Sequence, residues 1–488
     1  MKQHRGAMTL LFLGACAGAQ ADQGDPNMLD STSGSTTMPE AASSGSDESG
    51  HSDGSTTGPV GTSTGEISTG EIGETGDSSG TGELPELCGN GVVDMGEACD
   101  KPNGIDADGC NEDCTLSGSV LWSSTIGGSL GLAEDFFGIA VDEDANAYAT
   151  GALHTSNLGP DLWIQSFNPA GVVGWDLSTD GSANGLDAGR GVLVHDGSLY
   201  VAGKLEMTTT GDDWRVGQYS LLGAEGWTAA FSGTGVGDDA PRGIASDASG
   251  RLFVSGREFT QSNDTDVRVH QYLEGGLVGW TATHDGAAHG ADGARAVAVD
   301  ADGNVVVAGF ETVTGQGLDG WVGKYDPDGA LLWSRTHRGA AGLDELASGV
   351  ATDSAGNVYA VGYETVALGV SAGWVQRWDA DGSEGWLHTW RGESVEGSAT
   401  FLAVAVDGAD NIVVAGSESA DGASGASLQK LDTSGSILWS QAVDLDDPGQ
   451  KRFRAVAVGP GDHIWAAGRR DLGVDGDGFE GWVVRVAP

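Results

Sequence analysis

The sequence predicts an all-β fold, a seven-bladed β-propeller, and three observations carry the prediction. Tryptophans stand at Trp122, Trp175, Trp227, Trp280, Trp333, Trp386 and Trp439, spaced by 52 or 53 residues. Glycines ending a second phrase recur in step at Gly151, Gly203, Gly256, Gly309, Gly362, Gly416 and Gly468. The last copy stops at Pro488 without its tryptophan phrase, whereas an isolated copy of that phrase, SGSVLWSST at 117–125, stands ahead of the array. Seven copies at a fixed period mean one structural unit used seven times.

Each unit reads as four short strands. In the fourth copy these are RAVAVD from 295, NVVVAG from 304, GWVGKYD from 320 and ALLWSR from 330. ADG and PDG join them in pairs, because Gly and Asp tolerate the positive φ of hairpin turns. The isolated SVLWSS is expected to pair beside the C-terminal GWVVRVAP as the outermost strand of the last blade, closing the ring and removing its open seam. One face of the first strand is small, at Gly138, Gly191, Gly243, Ala296, Gly349, Ala403 and Ala455, while its other face carries Ile139, Val192, Ile244, Val297, Val350, Val404 and Val456. Large-on-small packing suits strands that converge on an axis, and the tryptophans are expected to fill the wider space between blades.

Ahead of residues 117–488 the chain divides into three parts. Residues 1–16 have a basic start at Lys2 and Arg5, then a short apolar run, and LGAC at 13–16 resembles the lipobox of bacterial lipoproteins, which implies lipidation of Cys16. Residues 17–87 contain no Lys, Arg, Trp, Phe or Tyr and are expected to be a disordered Ser/Thr/Gly/acidic tether. Residues 88–116 hold Cys88, Cys99, Cys110 and Cys114, expected in an exported chain to form two disulfides with three connectivities open. Their CGNG, GEACD and DGCNEDC phrases resemble the cysteine-rich repeat of myxobacterial surface proteins, although KPNG departs from that pattern.

The phrases GIAVDEDANAYATG, RAVAVDADGNVVVAG and SGVATDSAGNVYAVG, each with its tryptophan phrase, resemble the bacterial seven-bladed β-propeller repeat family. That resemblance implies a propeller on an exported or surface protein and no particular activity. A likeness to the repeat of quinone-dependent dehydrogenases stops at the turn and tryptophan, with no constellation for a quinone.

Composition narrows the partners. Lys+Arg 23 against Asp+Glu 71 gives a formal charge of −48, which repels nucleic acid and anionic membrane surfaces. Contact with a membrane is therefore expected only through the lipid anchor, on a monomer placed at the outer membrane or cell surface. No catalytic constellation is evident: the GTSTG at 61 and GVSAG at 369 lack a strand-to-helix setting, and the histidines lack ligand spacing. Cofactors are expected to be absent, with calcium left open at the acidic residues of the cysteine module and at DGDG, 475–478.

One basic pattern stands out. Arg190, Arg242, Arg295 and Arg454 open the first strand in four copies, so they are expected to ring one mouth of the channel and to meet a carboxylate or sulfate there. The competing reading pairs them locally with Asp187, Asp239 and Asp292 three residues upstream, or with Glu206, Glu258 and Glu311. The dissimilar loops after the second strands are expected to gather at the same rim. The expected role is a tethered binding or scaffold module for an extracellular or envelope protein or glycan. The alternative is an envelope carbohydrate-active lyase or hydrolase using carboxylates on that face.

Overall fold

The computed structural model describes Cys99, Cys110, Asn111 and residues 115–488, apart from short segments at 129–131, 157–158, 263, 393–396, 421–422, 444–448 and 472–477. Cys16, the tether, Cys88 and Cys114 lie outside the described residues. Cys99 and Cys110 form a disulfide, with Cα atoms 5.8 Å apart. Just beyond it, Asn111 accepts a bond from the Ser117 hydroxyl at 2.9 Å and donates its backbone N–H to Thr115, joining the module to the start of the array.

Seven four-stranded antiparallel sheets follow one another around a ring. The fold is a seven-bladed β-propeller. The innermost strands of blades 1 to 7 are Asp135–Val141, Ala188–His195, Ala240–Ser246, Gly293–Val299, Glu345–Thr352, Ser398–Val406 and Lys451–Val458. Each touches the innermost strand on either side, and the first touches the last, so the ring is closed. Their small residues permit this approach. A Cβ added at Gly191 would lie 3.0 Å from the Ile244 side chain, and one at Gly243 would lie 2.8 Å from the Val297 nitrogen.

Blade 7 closes as the sequence predicts. Val120–Ile126 pairs antiparallel with Phe479–Val486, with Trp122 opposite Arg485 and Ile126 opposite Gly481. This N-terminal strand is the outermost of a sheet whose other three strands end the chain.

The tryptophans do more than fill space. Each indole covers the glycine of the next blade's outer hairpin turn: Trp122 covers Gly171, Trp280 covers Gly329, and Trp439 covers Gly118, where an added Cβ would meet the ring at 2.6, 2.7 and 3.0 Å. Those glycines have φ of +77°, +88° and +76°, so both the turn and the indole exclude a side chain. Several indoles also donate their Nε1–H to a turn carbonyl, as Trp122 does to Pro169 at 3.0 Å and Trp280 to Pro327 at 3.0 Å. Because Trp439 of blade 6 rests on Gly118, the segment around 117–125 supplies both a strand and a latch.

Candidate functional site at the channel mouth

A β-bulge shapes the mouth. In every innermost strand the register slips by one residue near its start, over Phe137, Arg190, Arg242, Arg295, Ser348, Leu402 and Arg454. A bulge bends the strand and re-aims the extra residue. The recurring second-strand glycines lie against these bulges. A Cβ at Gly362 would lie 1.8 Å from the Leu346 carbonyl oxygen, at Gly416 1.8 Å from that of Thr400, and at Gly468 2.0 Å from that of Arg452. Glycine is therefore required there for backbone approach rather than for a turn.

All four sequence-predicted arginines sit at bulges. Arg190 and Arg454, from blades 2 and 7, both lie over the ring of Phe137 in blade 1, at 4.1 and 5.0 Å from its centroid. Blades 7, 1 and 2 meet along their innermost strands, so this convergence places the bulged side chains at the channel. Arg295 lies over Phe310 at 5.5 Å. Arg454 Nε donates to Asp135 Oδ2 at 2.7 Å, with both side chains buried.

The upstream acids weighed from sequence as arginine partners accept backbone hydrogen bonds. Asp239 accepts backbone N–H bonds from Gly233 at 2.5 Å and Phe259 at 2.6 Å. Asp187 accepts from Gly181 and Glu206 at 2.5 Å, and Asp292 accepts from Gly286 and from Thr312 at 2.7 Å. Each carboxylate thus ties the loop before its strand to the end of the second strand. The rim glutamates are engaged likewise: Glu206 accepts from Leu186 N–H at 2.9 Å, Glu258 lies 3.4 Å from Arg268, and Glu311 lies 2.9 Å from His284.

Glu134 and Glu345 occupy the same position in blades 1 and 5 and extend this set to five buried acids. Burial pushes Glu134 and Glu345 up to about 7, and Asp187 and Asp239 up to about 6. In all four, burial raises the value and backbone N–H groups oppose it, from Gly181 and Glu206 at Asp187, Gly233 and Phe259 at Asp239, Gly128 at Glu134 and Gly339 at Glu345.

Sequence reasoning missed a second ring. The residues after the second-strand glycines are Ala152, Lys204, Arg257, Phe310, Tyr363, Ser417 and Arg469, paired with the innermost strands beside the bulges. Burial lowers the pKa of Lys204, and Arg190 and Arg242 lower it further, while Asp212 opposes them with a direct ion pair. Reading the repeats column by column carries this signal, because three of the seven residues are cationic in a strongly acidic chain.

Carboxylates gather between blades on the same rim. Asp161, Asp180 and Asp187, and likewise Asp266, Asp285 and Asp292, bring one oxygen each within 4.8 Å of one another, an arrangement able to hold a cation. Between blades 4 and 5 the loop position of Asp285 is taken by Arg338, which bonds Asp319 at 2.8 Å. There Glu345 stands directly opposite Glu364. A Cβ at Gly339 would lie 2.6 Å from one glutamate oxygen and 2.7 Å from the other, so the two carboxylates converge. His337 stacks on Trp374 at 4.1 Å, and burial lowers its pKa to about 4. His284 repeats this stacking on Trp321 at 4.4 Å, so the two histidines hold a repeat position, as their spacing predicts.

No protein-family model and no curated protein matches the chain. Solved structures similar to it include a polysaccharide lyase, Uly1, at 12% identity and TM-score 0.44, covering 72% of this chain and 89% of that one. A periplasmic gluconolactonase of Pseudomonas aeruginosa, PpgL, is similar at 14% identity and TM-score 0.42, covering 67% and 93%. A Bacteroides caccae protein of unknown function is similar at 11% identity and TM-score 0.36, covering 54% and 84%.

Proposed function

We propose that the protein is a surface-tethered lipoprotein whose propeller binds an extracellular or envelope protein or glycan at the channel mouth. The observation that carries this reading is the bulge ring. A feature present in all seven blades delivers Arg190, Arg242, Arg295 and Arg454 to one rim, while the chain as a whole bears a charge of −48. A rigid ring with cationic side chains on one face and dissimilar loops around it is suited to recognition rather than to stability alone. Pull-down from envelope extract with the full chain is expected to capture a partner that the folded four-arginine-to-alanine variant loses. Equal capture by both would sink the reading.

A second reading, an envelope carbohydrate-active enzyme, is favoured by the convergent pair Glu345 and Glu364. Glu345 is pushed up to about 7 and the pKa of Glu364 is also raised, both chiefly by burial. A carboxyl group that titrates near neutrality is suited to exchange protons with a glycosidic substrate. On this reading an envelope polysaccharide is degraded by the full chain, and Glu364→Gln lowers the rate by about a hundredfold or more. Degradation unaffected by Glu364→Gln would remove the pair from any catalytic role.

A further inference from the structure

Lys204, Lys324 and Lys430 each meet a buried aspartate, and the first pair differs from the other two. Lys324 lies 2.9 Å from Asp300, and Lys430 lies 2.9 Å from Asp407. Asp300 also accepts from the backbone of Asp302 and Asn304 and from the Asn304 amide. Asp407 accepts the same set of bonds from Ala409 and Asn411. Burial opposes ionisation at both aspartates, but these donors and the lysines together hold the two carboxyls below the usual carboxylate range. Both are ion pairs built to stay charged.

Lys204 and Asp212 are built differently. Their side chains are in direct contact, each only 5% exposed. Among the described residues Asp212 takes no side-chain donor besides Lys204 Nζ, and Nζ reaches no acceptor besides Asp212. The strand register makes the contact. In the hairpin of Ser198–Met207 with Gly211–Ser220, Glu206 stands directly opposite Asp212 and Lys204 directly opposite Trp214. Those side chains share one face, and Lys204 meets Asp212 on its diagonal. Blades 3, 4 and 5 carry no such couple at the matching positions, where Arg257 stands with Thr265, Phe310 with Leu318 and Tyr363 with Ser371. Burial raises the pKa of Asp212 and lowers that of Lys204, and their mutual attraction only partly opposes it, so both groups are driven toward their uncharged forms.

We propose that Lys204 Nζ and Asp212 Cγ join in an intramolecular isopeptide bond, a modification that the folded chain makes in itself. A desolvated lysine amine is a nucleophile. Nζ attacks Cγ, the bond from Cγ to one carboxyl oxygen breaks as the Nζ–Cγ bond forms, and that oxygen leaves as water. Counted from the ion pair, both protons that Nζ gives up end on the departing oxygen, and nothing is oxidised or reduced. The first crosses the contact already present. Glu206, opposite Asp212 on the same face, is the carboxylate placed to carry the second. Two charges that are costly to keep out of water are replaced by a neutral amide, and the burial that drives them together also excludes the water that would hydrolyse it. The bond closes residues 205–211 into a covalent loop at the channel mouth, whatever that mouth binds.

Trypsin digestion of the full chain, folded first and then denatured, tests this by mass spectrometry. The expected result is no cleavage after Lys204 and a single peptide, Gly191–Arg215, one water lighter than its sequence mass. Fragmentation of that peptide is expected to place the lost water between Lys204 and Asp212. Asp212→Ala is expected to restore cleavage after Lys204 and the full sequence mass. Peptides Gly191–Lys204 and Leu205–Arg215 at their sequence masses from the parent chain would overturn the bond and leave a buried ion pair. So would a lost water that fragmentation places at Asp196–Gly197 with Lys204 cleaved, or a light, uncleaved peptide that persists in Asp212→Ala.

Discussion

Deleting residues 117–125 is expected to lower the melting temperature by roughly 10 °C or more, the largest single effect the architecture implies. The deletion removes all of Val120–Ile126 but its last residue from blade 7, which exposes the hydrogen-bonding edge of Phe479–Val486. It also uncovers two turn glycines. Trp122 no longer covers Gly171 in blade 1, and Trp439 in blade 6 loses Gly118 beneath its indole. Trp122 and Ile126 pack with the cluster of Phe136, Trp163, Phe167 and Trp465, which draws on blades 1 and 7. Fully burying such a side chain stabilises by about 1.5–3 kcal/mol, so loss of the half-buried Trp122 removes about 1–2 kcal/mol before the strand bonds and the packing of Ile126 are counted. The exposed edge should also self-associate, so light scattering beside the melting curve distinguishes ring opening from simple weakening. An unchanged melting curve would mean that the ring is held shut without this strand.

That closure was legible because it depends only on a missing phrase in the last copy and a surplus phrase at the front. The blade count, the inner-strand packing and the gathering of loops at one rim were legible for the same reason, since the period repeats them seven times. The bulges were not. A bulge is a slip in register, and nothing in the residues around Arg454 tells that Phe453 and Ala455 oppose the neighbouring Gly468 and Ala467. The role of Asp187 was hidden for a related reason, because it accepts from the backbone of Gly181 and Glu206, while Arg190 at the bulge stacks on Phe137 of the neighbouring blade. Arg452 and Arg469 lie far apart in sequence, and only the register of Lys451–Val458 against Ile464–Asp471 shows them opposed. Glu134 and Glu345 could have been found by extending the Asp187 column to the other copies, because five of the seven keep an acid there while its length changes.

Those two glutamates carry the remaining prediction, a loss of stability as pH rises through neutrality. An unfolded glutamate titrates near 4.3, whereas burial holds Glu134 and Glu345 at about 7 in the folded chain. The folded state therefore binds protons more tightly than the unfolded state. The stability these groups contribute is fully present below the unfolded pKa and is lost as pH rises through the folded pKa. Between pH 6.5 and 8 the two together should cost about 1–2 kcal/mol, a fall of roughly 3–5 °C in melting temperature. Buried histidines act with the opposite sign over nearly the same window. His270 and His337 are held at about 4 chiefly by burial, so their contribution is lost as pH falls below about 6.5. Between about pH 4.5 and 6.5 the two opposing contributions largely cancel, so the net fall appears above about pH 6.5. Glu134→Gln with Glu345→Gln mimics the protonated pair and is expected to remove the fall above about pH 6.5 and to unmask the loss that the histidines cause below it. If the alkaline limb keeps its slope in the double variant, the proton uptake belongs to Asp187, Asp239 and their neighbours rather than to the two glutamates. The same titration bears on the enzyme reading, because a Glu345 that is ionised throughout this range can accept a proton from a substrate at neutral pH but cannot donate one.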